Sequence, residues 1–269
     1  MRKILAALLI QLAVAAPALA WGPEGHSIVA EIAQRHLTPA AAQKVRDILG
    51  DNASLASISS WVDDHRALHP DTSRWHFVDI PLDAQDYDEA RDCAPSSEGD
   101  CVLHALDRNL EALTSAASTP RQRSQALKFV VHFAGDLNQP LHTVKELQGY
   151  NQMEVCYFSS PAKNDCVATN LHTVWDVGLI RSIFYGWGAY VDYLENDWIP
   201  GQDSAALVAG APVDWALEAH KAAREIAVAG VNMNDRLGAD YLATVRPALD
   251  RQLAVGGLRL AAILNQALK

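Results

Sequence analysis

The sequence predicts an all-α protein, a single mainly helical domain with one short hairpin-like excursion. Three observations predict it. Apolar residues recur at helical spacing along most of the chain, helix start and stop signals punctuate it, and strand-like alternation is almost absent. The 269 residues are 49% hydrophobic, ample for a large core, and contain no internal repeat, low-complexity segment or linker.

Taken in order, residues 1–20 read as a secretory leader. Arg2 and Lys3 form its charged start, residues 4–16 its apolar run, and Ala18-Leu19-Ala20 its cleavage site. That run is too short to span a membrane, and no later stretch is long enough. Cleavage leaves Trp21 as the N-terminus of a domain covering residues 21–269. Within it, Ile28, Val29, Ile32 and Ala33 mark a helix over 21–36. Thr38-Pro39 opens a second helix, which Gly50 stops. A third covers 55–67, and 70–92 is irregular, with turn signals at Pro70 and Pro81. Two amphipathic helices follow at 100–117 and 119–137. The latter has Thr119 as N-cap and Pro120 in its first turn, and Pro140 ends it. Residues 143–170 lack helical period, contain Gly149 and Pro161, and suit a hairpin closed by Cys156 and Cys166. Helices are then expected at 171–185, 189–197, 204–208 and 213–229. A long closing helix at 237–269 should bend at Pro247 and Gly256-Gly257.

Removing Arg2 and Lys3 leaves 20 basic against 32 acidic side chains, so the formal charge moves from −10 to −12. Such acidity excludes tight nucleic-acid binding through a basic face of the bare chain. Bound divalent cations would reverse the sign locally. The four cysteines, Cys93, Cys101, Cys156 and Cys166, fall in two close pairs in polar segments. In an exported chain this favours local disulfides, 93–101 and 156–166, over zinc-thiolate ligation, for which the spacings are too long.

Chemistry-bearing residues recur in five places. Trp21 to His26 offers a new α-amine and an imidazole. Ser60 to Arg66 offers Asp63 close to an arginine, and Arg74 to Asp79 gathers a histidine, aromatics and an acid. His132 and Asp136 lie four apart on one helix face, with His142 beyond, and His172 and Asp176 repeat that spacing. Imidazole and carboxylate are donors that zinc takes. Each place alone is weak, since Trp61 and Trp175 suit a core and Asp64 or His65 a solvated surface. Together they hold six of the ten histidines, which points to one metal site.

These words resemble the zinc-dependent single-strand nuclease family first known from fungi (the S-one/P-one nucleases). The matching words are Trp-Gly-x-x-Gly-His at 21–26, Ser-Trp-x-Asp at 60–63 and His-Phe-x-Asp at 76–79. Longer matches are His-Phe-x-Gly-Asp-x-x-Gln-Pro-Leu-His at 132–142 and Asn-Leu-His-x-x-Trp-Asp at 170–176. They stand in the family's order, and Gly256-Gly257-Leu258-Arg259-Leu260-Ala261 resembles its closing helix. The resemblance implies three zinc ions per chain. Asp63, His76, His132 and Asp136 would hold one. Trp21, through its amine and carbonyl, would hold a second with His26, and Asp136 would bridge these two. His142, His172 and Asp176 would hold the third.

The implied reaction is in-line attack by a zinc-activated hydroxide on single-stranded DNA or RNA, leaving 5′-phosphates, with 3′-nucleotidase activity on mononucleotides. Asp79 would orient or deprotonate the water, Arg66 would stabilise the phosphorane, and Phe77 would stack an unpaired base. Lys145 and Asn151 would touch phosphate. Where the family usually has Gly-Gly-Asn, this chain has Gly149-Tyr150-Asn151, so Tyr150 narrows the base pocket or adds a stacking ring. A secreted or periplasmic monomer with no membrane partner is expected. The alternatives are a zinc phospholipase C, which shares the fold and the N-terminal tryptophan ligation, and a non-catalytic secreted zinc-binding protein. Asp79 and Arg66 beside the ligands speak against mere storage.

Overall fold

Thr119 starts the helix around which the fold is built. Its hydroxyl accepts from the Gln122 amide while the Gln122 side chain accepts from the Thr119 amide, a reciprocal cap, and Pro120 occupies the first turn. In the computed structural model, which describes residues 21–158 and 166–269, this helix spans Pro120–Asp136. The proposed leader and Pro161 lie outside the described residues. The first turns of the helix face solvent, but from Phe129 to Asp136 every residue is buried. A helix buried on all sides must be enclosed by neighbours. Here these include Val102–Thr114, Pro23–Arg35 and the closing helix Ala239–Ala267. His132 and Asp136 are thereby carried into the interior.

The first helix, Pro23–Arg35, buries Ile28, Val29, Ile32 and Ala33 as its spacing predicts, and lies against the closing helix. The second, Pro39–Leu49, has the expected Thr38 cap and stops at Gly50, whose φ of +89° suits glycine. The closing helix runs as one element through Pro247 and Gly256-Gly257. The glycines serve close approach. A Cβ on Gly257 would lie 2.5 Å from the Ile32 Cβ, and one on Gly256 would lie 3.3 Å from Val29 Cγ2.

The expected third helix is two, Leu55–Ile58 and Trp61–Leu68. Serines divide it. Ser54 and Ser57 cap each other, and the Ser59 hydroxyl donates to the Ala56 carbonyl, so side chains take over bonds a continuous helix would use. The irregular stretch holds a 3-10 turn at Pro70–His76 and a short helix at Glu89–Asp92.

The hairpin is present: β1 (Glu154–Tyr157) pairs antiparallel with β2 (Val167–Asn170), with Glu154 opposite Asn170. A third strand that the sequence did not announce, β3 (Arg236–Leu237), adds to β1 in parallel, giving the order β2-β1-β3. Both disulfides pair locally, Cys93–Cys101 and Cys156–Cys166, with Cα separations of 5.0 and 5.3 Å. Beyond β2, the predicted helix carries a π turn at Val174–Gly178 between Leu171–Thr173 and Leu179–Ile183. Similar turns follow Trp187–Tyr193 and Pro212–Ala222. Ser204–Leu207 makes one short helix between them. Among the described residues, no helix is long and apolar enough to cross a membrane.

Candidate metal centre

The last turn of the central helix presents His132 and Asp136 one above the other, both fully buried. The helix C-terminus also brings its partial negative charge there, which favours a cation. Asp136 is the focus. Its Oδ2 lies 3.0 Å from His76 Nδ1 and 3.4 Å from His132 Nε2. Its Oδ1 lies 3.5 Å from His26 Nε2 and 3.6 Å from His142 Nδ1. The rings of His26 and His132 stack with centroids 3.8 Å apart, and Asp63 Oδ1 lies 3.7 Å from His132 Nε2. Next to this cluster, His172 Nε2 is 3.4 Å from Asp176 Oδ2, and His142 Nε2 is 4.0 Å from Asp176 Oδ1.

The sequence-predicted ligand side chains thus fall into three groups, the first two sharing His132: His26, His132 and Asp136; Asp63, His76 and His132; His142, His172 and Asp176. Trp21 joins them through its neighbours. Its indole N–H donates to the Gly135 carbonyl at 3.0 Å, and the Gly22 amide donates to the Asp176 carbonyl at 2.9 Å. Residue 21 is therefore tied to the backbone beside both Asp136 and Asp176.

The donor atoms fit a metal. Nε2 of His76, His142 and His172, both ring nitrogens of His26, and Oδ1 of Asp63 and Asp136 are buried without a hydrogen-bond partner. Orphaned polar atoms are costly unless something satisfies them. On three histidines the other nitrogen is held by a carbonyl: His132 Nδ1 donates to Ser59, His142 Nδ1 to His76 and His172 Nδ1 to Gly149. That arrangement fixes the tautomer and leaves Nε2 as the ligating atom.

Burial, the largest cause, holds His26, His76 and His142 well below the ordinary imidazole range and brings His172 to about 4. These rings are neutral, the form that ligates. Burial likewise raises Asp136 and Asp176 well above the ordinary carboxylate range, with nearby Asp63 adding repulsion on each. A cation at these groups would reverse that preference and hold both carboxylates ionised.

Around the groups, Arg66 is nearly buried, with its Nη2 3.6 Å from Asp63 Oδ1. Asp79 is half-buried and paired with Arg74 at 2.6 Å, a partner the sequence did not single out. Burial raises the Asp79 carboxyl, and the charges of Arg74 and Lys145 oppose that rise. Phe77 is partly exposed, with its ring 4.8 Å from that of His142 and 6.4 Å from that of His172. Lys145 is exposed, and Asn151 is turned back onto the Gln148 carbonyl. Tyr150 is only 7% exposed, so it forms part of a wall rather than a free ring.

Three contributors escaped sequence reasoning. Gln139 donates from Nε2 to Asp176 Oδ1 at 2.6 Å, and its Oε1 accepts from the Leu141 amide. Gly135 leaves room for His26, since a Cβ there would lie 2.9 Å from His26 Nδ1. Gly149, at φ +62°, presents its carbonyl to His172 where a Cβ would strike the Leu141 carbonyl at 2.5 Å. The signals were their places inside or just after the central word, beside the named ligands.

The chain is similar to known proteins over most of its length. Endonuclease 2 of Arabidopsis thaliana is 32% identical over 91% of this chain and 90% of its own length. Nuclease P1 of Penicillium citrinum is 29% identical over 91% and 97%, and Nuclease S1 of Aspergillus oryzae 28% over 94% of each. The sequence model of the family described as S1/P1 Nuclease matches residues 21–269, every residue of the region that carries these groups. The chain is a nuclease, a member of the S1/P1 nuclease family.

Proposed function

We propose that this chain is a secreted or periplasmic, zinc-dependent endonuclease that cleaves single-stranded DNA and RNA to 5′-phosphorylated products, with 3′-nucleotidase activity on mononucleotides. The observation that carries the reading is the set of buried, unpartnered nitrogen and oxygen donors converging on Asp136 and Asp176. Asp63, His76, His132 and Asp136 would hold one zinc, Trp21, His26 and Asp136 a second, and His142, His172 and Asp176 a third. Bound there, zinc supplies a lowered pKa for water and positive charge for the phosphate oxygens.

The chain's own residues would do the rest. Asp79, aimed by its ion pair with Arg74, orients the attacking water and takes its proton. Arg66 places a guanidinium beside Asp63, where charge builds on the equatorial phosphate oxygens. Phe77 offers a ring face for an unpaired base next to His142, and such stacking tolerates any sequence. A duplex base is already stacked, which accounts for single-strand preference. Lys145 and Asn151 would touch phosphate, and Tyr150, 7% exposed, would narrow the base pocket as part of its wall. Export fits the two disulfides. Residues 1–20 would be the removed leader, 21–269 one domain, and the chain a monomer.

The test is zinc content per chain by elemental analysis, with release of 5′-nucleotides from single-stranded DNA and RNA with and without chelator. Three zincs and chelator-sensitive release are expected. Cleavage of choline phospholipid without nucleic-acid cleavage would replace this reading with the phospholipase one, and zinc without either activity with the binding protein.

A further inference from the structure

The helix Trp61–Leu68 carries more than Asp63 and Arg66. On its other side a column of rings runs outward. Lys128 Nζ sits 4.5 Å from the Trp61 ring, Trp61 stacks on His65 at 4.8 Å, and His65 stacks on His69 at 4.1 Å with the planes 20° apart. Phe129 meets both Trp61 and His65 edge-on from the core and holds the column upright. The column ends in an open ring, because His69 is exposed. Beside it Leu68 is 81% exposed, an apolar side chain with no packing role.

Residues advance about 100° each around a helix, so Arg66 lies about 60° from Asp63 and about 100° from His65. Arg66 therefore stands between the ligand groups and the ring column. A strand whose scissile phosphate meets Arg66 would reach the column with its next nucleotides.

We propose that His69 and Leu68, at the outer end of the Trp61–His65–His69 column, form a base-stacking subsite for nucleotides of a single strand that lie beyond the two joined by the scissile phosphate. A base would continue the stack on the open face of His69 and cover Leu68. Stacking on the end of an ordered column fixes few new side chains, since Phe129 and Lys128 already hold it. Lys128 adds positive charge to this path on an otherwise acidic chain. Base–aromatic stacking reads no sequence, so the subsite would favour length over composition. This subsite rests on the nuclease reading of the neighbouring centre.

The experiment compares the zinc-loaded wild-type enzyme with the double variant Leu68→Ser/His69→Ala and with the single variant His69→Phe. Substrates are an oligothymidylate of about twelve nucleotides, within the range of single-strand site sizes, and a dinucleotide. Binding of a slowly cleaved phosphorothioate oligothymidylate is followed by fluorescence anisotropy. The double variant should raise KM for the long strand and weaken its binding by about fivefold or more, with dinucleotide turnover unchanged. His69→Phe should restore the long-strand KM. Equal KM and binding in wild type and double variant would overturn the subsite while leaving the nuclease reading intact, and so would a parallel loss on both substrates. If wild type cleaves neither substrate, the nuclease reading fails, and loss of anisotropy in the double variant still decides for or against the subsite.

Discussion

Each oxygen of Asp136 faces two imidazoles, and its Oδ1, like both ring nitrogens of His26, is buried with no hydrogen-bond partner, a cost that a bound cation would remove. Removing one unit of negative charge there without changing shape is therefore the sharpest single substitution. Asp136→Asn should lower zinc content below three per chain and reduce turnover by at least about a hundredfold. Near-normal turnover with full zinc content would refute the bridging role. Gln139 acts one step further out, through its donation to Asp176. Gln139→Ala should weaken zinc at the His142–His172–Asp176 group by about ten- to a hundredfold, with activity recovered in excess zinc. If excess zinc leaves the deficit unchanged, Gln139 acts on something other than metal affinity. The two residues also differ in legibility. Asp136 was readable because a carboxylate four residues after a histidine shares its helix face. Gln139 was not, because its partner lies 37 positions away and nothing local marks an amide as a support.

Elements were legible where their signals are local. Thr119 with Pro120, and Thr38 with Pro39, start helices that the structure shows at those places. The misreadings came from tertiary effects. Ser59 and Ser60 sit inside an apolar pattern that reads as one helix, and the break is useful because it turns the Ser59 carbonyl to His132. Gly256-Gly257 forms a contact surface for Ile32 and Val29, a role that nothing local in the sequence announces. The π turn at Val174–Gly178 leaves His172 and Asp176 adjacent, which is why their spacing still predicted the pair. The glycine contact gives a measurable consequence. Gly257→Ala adds a Cβ 2.5 Å from the Ile32 Cβ on a helix that cannot easily retreat, so about 1–3 kcal/mol of stability should be lost. Thermal unfolding should shift down by several degrees, about 2–4 °C per kcal/mol at this chain length. An unchanged Tm would mean the two helices can separate without cost. The same substitution should leave zinc stoichiometry intact, because neither Gly257 nor Ile32 belongs to the ligand groups.

At the scale of the whole molecule, the fold converges on the residue that cleavage would make its first. Trp21 is fully buried, its indole is tied to Gly135 on the central helix, and the next amide is tied to Asp176 on the helix after β2. Gly25 is pressed between Trp21 and Ile180, where a Cβ would lie 2.9 Å from the Trp21 Cβ, so the segment has one seat. The two sequence-distant helices that carry Asp136 and Asp176 therefore fix residue 21. On the zinc reading, the α-amine freed at that seat is a ligand no side chain can replace, because an amide nitrogen is a poor donor. Maturation of the chain and assembly of the centre would then be one event. The prediction compares protein beginning at Trp21 with protein carrying a single extra residue before it. The mature form should hold three zincs and the extended form two, with turnover on single-stranded DNA falling by at least about tenfold. The group of His142, His172 and Asp176 should keep its ion in both, since none of its three donor side chains comes from the N-terminus. Elemental analysis of the two proteins, purified in parallel, reads this directly. Equal zinc content and equal turnover would show that the amine is not a ligand and that His26 and Asp136 suffice.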